Sequence, residues 1–338
     1  EEEGIAQVLS QSLESLGLEV YRDSFGNIIG SDGRDNPLML SAHMDTVEPG
    51  RGIKPHVEDD RILSDGWTIL GGDCKAGIAA ILEGLESIME DKVRHLAVEV
   101  VFTREEEIGL VGASHLDFSK IKSKEAIVFD GEGPPNQITS ASPTYVGFTI
   151  EVTGRSAHAG VEPEKGISAI RVAAELISAL PQGRLDSETT FNIGTIMGGS
   201  VRNTVPEVTS LTGEFRSLNL EALDGVRLQI AKVLDEVRET HPDAVIDDQI
   251  TPQFEGYTLI DDGPNIQRVK AAMRSLGLEP TTKPSGGGTD GNVFRLKDID
   301  AVVVGMADHG MHTVREYVTI PDLVDAAHLC EAYLTTEK

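Results

Sequence analysis

Ser41-Ala42-His43-Met44-Asp45-Thr46 follows the apolar run Pro37-Leu38-Met39-Leu40. The run reads as a buried strand. His43 and Asp45 are two residues apart, so on a strand both point to the same side. An imidazole beside a carboxylate at a strand end has the chemistry of a metal ligand with its orienting partner. Taken alone, a His-x-Asp pair there is more often a hydrogen-bonded structural pair. What separates the two readings is whether other strand ends supply further ligands.

Other strand ends carry candidate donors. Leu96–Thr103 is an apolar strand broken only by Glu99, and it runs into Arg104-Glu105-Glu106-Glu107. Three carboxylates there also read as a solvated turn or a first helical turn, where acids suit the dipole. Glu125–Phe129 is another short buried strand, ending in Asp130-Gly131-Glu132. Asp73 follows Gly71-Gly72 and precedes a helix whose buried stripe is Ile78, Ile81, Leu82, Leu85, Ile88 and Met89. A plain N-cap accounts for an isolated Asp at that position, but the double glycine brings the backbone unusually close. In open α/β sheets, ligands bind beyond the carboxyl ends of the strands. His43, Asp45, Glu105 to Glu107 and Asp130 all fall there.

The pattern changes after Pro143. Tyr145–Val152 alternates like a half-exposed strand. A helix at Gly166–Leu180, strands at Thr189–Met197 and Glu207–Phe215, a helix at Leu220–Thr240 and a strand at Ala244–Ile250 follow. Strand, helix, two strands, helix, strand is the order of a split βαβ, or ferredoxin-like, sheet. It reads as an α+β domain at 143–252 inserted into an α/β domain made of 1–142 and 253–338. Alternation then resumes with a helix at Asn265–Leu276, the loop Ser285-Gly286-Gly287-Gly288-Thr289-Asp290, a strand at Ala301–Gly305 and a C-terminal helix opened by Pro321. Ile53–Leu63 reads as a short hairpin.

Composition narrows the chemistry. With 338 residues the chain suits two domains or one large one. Its 56 acidic against 29 basic residues leave a net charge of −27, which repels nucleic-acid phosphates and anionic lipids. Cys74 and Cys330 are too few for a disulfide framework or a thiolate site. Any metal is therefore held by His and carboxylates. No run reaches membrane-spanning length and no signal peptide is visible, which reads as a cytoplasmic protein; the chain begins at Glu1 rather than Met, so a removed leader stays open.

The segments SAHMDTV, LGGDCKAG, FTREEEIGLVGA, FDGEG, GRSAHAGVEPEKGISAI, NIGTIMGGSVRNTVP, GEFRS, SGGGTDGNVF and HGMHTVREYV together resemble the M20 di-metal peptidases, on the tripeptidase T-like branch. They span nearly the whole chain in the family's order. The resemblance implies a di-zinc exopeptidase-type catalytic domain with a lid and dimerisation domain inserted, and a co-catalytic ion pair, commonly Zn²⁺, with Mn²⁺ or Co²⁺ also suited to an N/O donor set. It implies that His43 and Asp130 hold one ion, Glu107 and His312 the other, and Asp73 bridges both, about 3.5–4 Å apart. Asp45 would orient the His43 ring. Glu106 would be the general base for a water held between the ions. His158 would reach the partner's active site in a homodimer and stabilise the oxyanion. Asn203, Arg216 and the backbone of Gly286 and Gly287 would bind the substrate. For His158 a plain surface histidine, and for Arg216 a plain ion pair, stand beside those roles.

Two questions of register stay open: Glu105-Glu106 against Glu106-Glu107, and His309 against His312, where Thr313 and Glu316 favour His312. Cys74 departs from the family, many members carrying an acid after the bridging aspartate. The reading is an aminopeptidase for small peptides, foremost tripeptides. N-acyl-amino-acid hydrolases and carboxypeptidases share the scaffold, and a non-catalytic relative is the remoter alternative.

Overall fold

The computed structural model describes residues 2–336. The chain divides into two compact units, one running to Ser142 and resuming at Thr258, the other Pro143–Tyr257. The second crossing falls at 257/258 rather than 252/253. The strand Val245–Phe254 is the reason: it keeps pairing with Thr144–Thr153 as far as Phe254 opposite Tyr145.

The larger unit is built on a nine-stranded sheet whose central strands run in the order Ile28–Ser31, Val98–Thr103, Leu38–His43, Glu125–Gly131, Asp300–Gly305. The last four are mutually parallel, so their carboxyl ends share one edge. Every residue of Leu38–His43 and of Val98–Thr103 is buried, as expected where helices cover both faces. Glu99, the one acid inside an apolar strand, is 1 % exposed. Its carboxylate accepts hydrogen bonds from the Lys122 and Ser123 N–H groups and the Ser123 hydroxyl, which supplies the partners a buried charge requires.

The helix Gly72–Asp91 contributes Ile78, Ile81, Leu85 and Ile88 to the core beside Leu329 and Tyr333 of the C-terminal helix Ile320–Thr335. Tyr333 donates its hydroxyl to Asn265 Oδ1 at 2.8 Å, satisfying its polar end inside that core. A smaller sheet begins with the hairpin His56–Glu58 and Arg61–Leu63. Tyr317–Thr319 and then Asp308–His309 extend it. The latter two strands are too short to leave a periodicity in the sequence. They matter because they fix the chain on either side of His312.

The second unit is a five-stranded antiparallel sheet in the order Gly183–Arg184, Thr189–Gly198, Val208–Ser217, Thr144–Thr153, Val245–Phe254. Its four long strands and two helices have the split βαβ connectivity, with the two-residue strand added at one edge. Val146, Phe148, Ile150 and Val152 alternate into a core shared with the helices Ala169–Ala179 and Leu220–Thr240. The first helix starts at Ala169 rather than Gly166 because the Ser168 hydroxyl caps it, accepting the Arg171 N–H. Asn219 caps the second helix in the same way. Among the described residues no helix is long and apolar enough to cross a membrane.

Candidate metal centre

Four parallel strands deliver their ends to one place. His43 is the last residue of its strand and lies beside Thr103, the last of the neighbouring strand. Asp130 is the last residue but one of the next strand in, Glu125–Gly131. Asp73 arrives from outside the sheet, at the head of the helix Gly72–Asp91. Gly71 takes φ +73° there, a left-handed turn that costs glycine nothing.

Asp73 uses its two oxygens in two directions. Oδ1 is 3.0 Å from His43 Nε2, and Oδ2 is 3.1 Å from His312 Nε2. His43 Nε2 also lies 3.5 Å from Asp130 Oδ1, and His312 Nε2 lies 3.0 Å from Glu107 Oε2. One atom each from His43, Asp73, Cys74 and Asp130 falls within 4.8 Å of the others, and the same holds for Asp73, Glu107 and His312. Two donor clusters therefore share one carboxylate. Glu107 Oε1 is buried without a hydrogen-bond partner, an uncompensated acceptor in a low-dielectric site. Imidazole and carboxylate donors converging at these distances fit divalent metal.

Asp45 serves the backbone. Its two oxygens accept the N–H groups of Glu106 and Glu107 at 3.0 and 3.1 Å. Oδ1 also stands 3.2 Å from His43 Nδ1, at ion-pair distance but off the line of a hydrogen bond. The Asp45 carbonyl accepts from the Lys75 ammonium at 2.5 Å. Glu107 meets His312, while Glu106, 8 % exposed, brings Oε2 to 4.0 Å from His43 Nε2. Glu105 and His312 both take φ in the left-handed region, at +50° and +63°. Non-glycine residues seldom adopt it except where surrounding contacts hold them there. The segment after Thr103 is thus a tight turn, not the first turn of a helix; the next helix begins only at Val111. His309 stacks on the Tyr317 ring at 4.9 Å, turned to a different partner from His312.

The electrostatics follow from crowding. Burial would lower His43, but Cys74, Asp130 and Asp45 outweigh it and hold the ring well above its ordinary range. Hydrogen bonds from the His312 ring to the Asp73 and Glu107 carboxylates push its pKa up to about 10. Burial would raise Asp73, yet His312 and His43 bring it well below the usual carboxylate range. Burial, opposed by His43, leaves Asp130 at about 7. Burial and then the Asp130 charge raise Glu106 well above an ordinary glutamate. The cluster thus binds protons where cations would sit, as a preformed anionic site does.

Cys74 donates its thiol to the Phe129 carbonyl at 2.8 Å and lies 3.5 Å from Met306 Sδ. In the second unit, His158 and Asn203 are brought together, the Ala159 N–H bonding to the Asn203 carbonyl at 3.0 Å. Arg216 pairs with Glu214 at 2.7 Å and stacks its guanidinium 4.5 Å from the Tyr145 ring centre. The Gly287 N–H donates to Ser285 Oγ at 3.0 Å, and the Gly287 carbonyl accepts from Ser142. That amide is engaged locally in this conformation.

Sequence reasoning missed three residues here. Lys75 follows Cys74 directly. Asp290 opens the helix Asp290–Leu296 just after the glycine-rich loop; it accepts from the Thr103 hydroxyl, and burial pushes it up to about 6. Glu316 was read only as context for His312. Each stood inside a quoted motif, but its partner lies far away in the chain.

Residues 141–242 match the M20 peptidase dimerisation domain, and residues 25–162 match peptidase family M28. The chain is 34% identical over 341 residues to the uncharacterized protein YqjE of Bacillus subtilis, covering 98% of this chain and 92% of that one. The crystal structure of aminopeptidase PepT from Bacillus cereus superposes with a TM-score of 0.83 at 35% identity, over 99% of this chain and 92% of that one. A Staphylococcus aureus tripeptidase gives 0.88 at 31% identity, over 98% and 91%. With these likenesses spanning nearly the whole chain, it belongs to the M20 family of metal-dependent peptidases, on the tripeptidase-like branch.

Proposed function

We propose that the protein is a di-metal aminopeptidase that removes the N-terminal residue from small peptides, tripeptides foremost. The observation that carries the reading is Asp73, whose two oxygens face His43 and His312 separately. His43 and Asp130 would hold one ion, Glu107 and His312 the other, and Asp73 both. Zn²⁺ suits this donor set best, with Mn²⁺ and Co²⁺ as alternatives. Bound there, the ions would polarise the scissile carbonyl and acidify the attacking water.

The rest is done by side chains. Asp45 holds the Glu106–Glu107 backbone and flanks His43, so base and ligands keep a common frame. Glu106, raised by burial, accepts the water's proton at its carboxylate and delivers it to the leaving amine nitrogen. His158 and Asn203 share one loop region and are assigned to the oxyanion and the substrate backbone. Arg216 and the Gly286–Gly287 backbone are assigned to the peptide's carboxylate. A homodimer through the second unit is supported by its edge: Gly183–Arg184 covers only Thr190 and Phe191 of the outer long strand. Ile196 and Met197 beyond are 52% and 67% exposed. The cytoplasm suits two buried cysteines that remain unpaired.

The test is turnover on free, N-blocked and C-amidated tripeptides with metal content measured, before and after Glu106→Gln. We expect cleavage of substrates with a free N-terminus, two ions per chain, and a 10²–10⁴-fold loss of kcat in the variant with its metal retained. Cleavage of N-acylated substrates alone would transfer the assignment to an acyl-amino-acid hydrolase. Full activity in the variant would remove Glu106 as the base.

A further inference from the structure

Glu316 touches none of the atoms assigned to ligation, yet it is 1 % exposed and both its oxygens are occupied. Oε2 accepts the N–H groups of Leu70 and Gly71 at 2.6 and 2.8 Å, and Oε1 accepts the Asp73 N–H at 3.0 Å. Three charge-assisted bonds from one carboxylate are a strong tether. Its two ends bear different ligands. Asp73 lies at one end, and His312 lies four residues before Glu316 at the other.

The loop between His312 and Glu316 has little freedom to slide. The Glu316 N–H bonds to the Thr313 carbonyl at 3.0 Å, and the Thr313 hydroxyl bonds to the Gly310 carbonyl at 2.8 Å. Immediately after Glu316, Tyr317–Thr319 pairs with Arg61–Leu63. The other side of the tether is equally tight. A Cβ on Gly72 would come 2.5 Å from Asp308 Oδ1 and 2.7 Å from Val318 Cγ2, so the Leu70–Asp73 turn is pressed onto the strand that Glu316 opens. Asp308 is the other acid facing this turn. It is fully buried with neither oxygen partnered. Burial, and then the neighbouring Glu316, push it up to about 9.

We propose that Glu316 is a positioning residue of the metal centre: it clamps the Asp73 turn to the His312 loop, and so sets the separation of the two donor clusters that Asp73 joins. The inference rests on the di-metal reading above. It assigns Glu316 to metal affinity and spacing, not to proton transfer.

The test is Glu316→Gln, with Glu316→Asp as a second variant. The amide presents an NH₂ to a backbone N–H, and the aspartate keeps the charge but is one methylene short. Metal binding is read by Zn²⁺ titration against a chromophoric chelator and by the visible spectrum of the Co²⁺ form. Thermal melts with and without metal are measured alongside. The wild type should take up two ions. In each variant one of the two should bind at least about 10-fold more weakly, the metal-induced rise in Tm should shrink, and excess metal should restore kcat. A role confined to folding would lower the metal-free Tm and leave both affinities unchanged. Wild-type affinities for both ions in folded variants overturn the inference, and so does failure of both variants to fold without metal. A wild type that binds fewer than two ions overturns the di-metal reading instead.

Discussion

His312 shows at residue scale how the site is poised. Its backbone sits at φ +63° and its ring faces two carboxylates at 3.0 and 3.1 Å. Those neighbours push its pKa to about 10, so at pH 7.5 the metal-free ring carries a proton. Ligation needs the neutral ring. The sign follows: metal binding expels protons at neutral pH, and apparent affinity rises with pH until the ring's own pKa is passed. Asp130, at about 7, adds to the release below neutrality. Calorimetric titration of metal into the apo protein at pH 7.5, in buffers of different ionisation enthalpy, should give a slope of about one proton or more released per chain. A slope of zero would mean that the ring is already neutral and that its neighbours are not where the structure has them.

Strand ends and strand edges carry the same lesson at the scale of elements. The parallel strands converge their last residues because parallel pairing forces all carboxyl ends to one side. In the second unit the informative part is instead an edge. Ile193 to Gly198 continues past the reach of its two-residue neighbour, and such an edge with exposed Ile196 and Met197 is a template for pairing. Ile196→Lys should convert the proposed dimer to a monomer in sedimentation equilibrium while leaving the circular dichroism of the fold intact, because the side chain is more than half exposed. An unchanged dimer would place the interface elsewhere.

At the scale of the whole molecule, the two units have separate cores. One core gathers the parallel strands and their helices, and the other is enclosed by the residues from Val146 to Ile246. The ends of the first unit also meet without the second, since the Leu259 N–H bonds to the Ser140 carbonyl at 2.8 Å. Replacing 143–257 by a short Gly/Ser linker should therefore leave a protein that folds and binds metal. It should lose turnover, because the insertion carries His158, Asn203 and Arg216, the residues proposed above to meet the substrate. Thermal melts, metal content and tripeptide assays check the three parts, and loss of metal binding would show that the first unit is not self-sufficient.

Local pattern determined a good deal. Apolar runs ending in His43, Thr103 and Asp130, and the amphipathic stripe after Asp73, are legible because strand and helix periods act over a few residues. The order of elements in the insertion is legible for the same reason, and the likeness of motifs across the chain named the family. Tertiary structure alone decided what depends on residues distant in sequence: that Asp73 divides its oxygens between His43 and His312, that His309 turns to Tyr317, that the insertion returns at 257/258, and that Glu316 holds the Asp73 turn. These are pairings across as many as 246 positions. Such a pairing becomes favourable only once the sheet brings the loops together and excludes water from between them, and no short-range pattern encodes it.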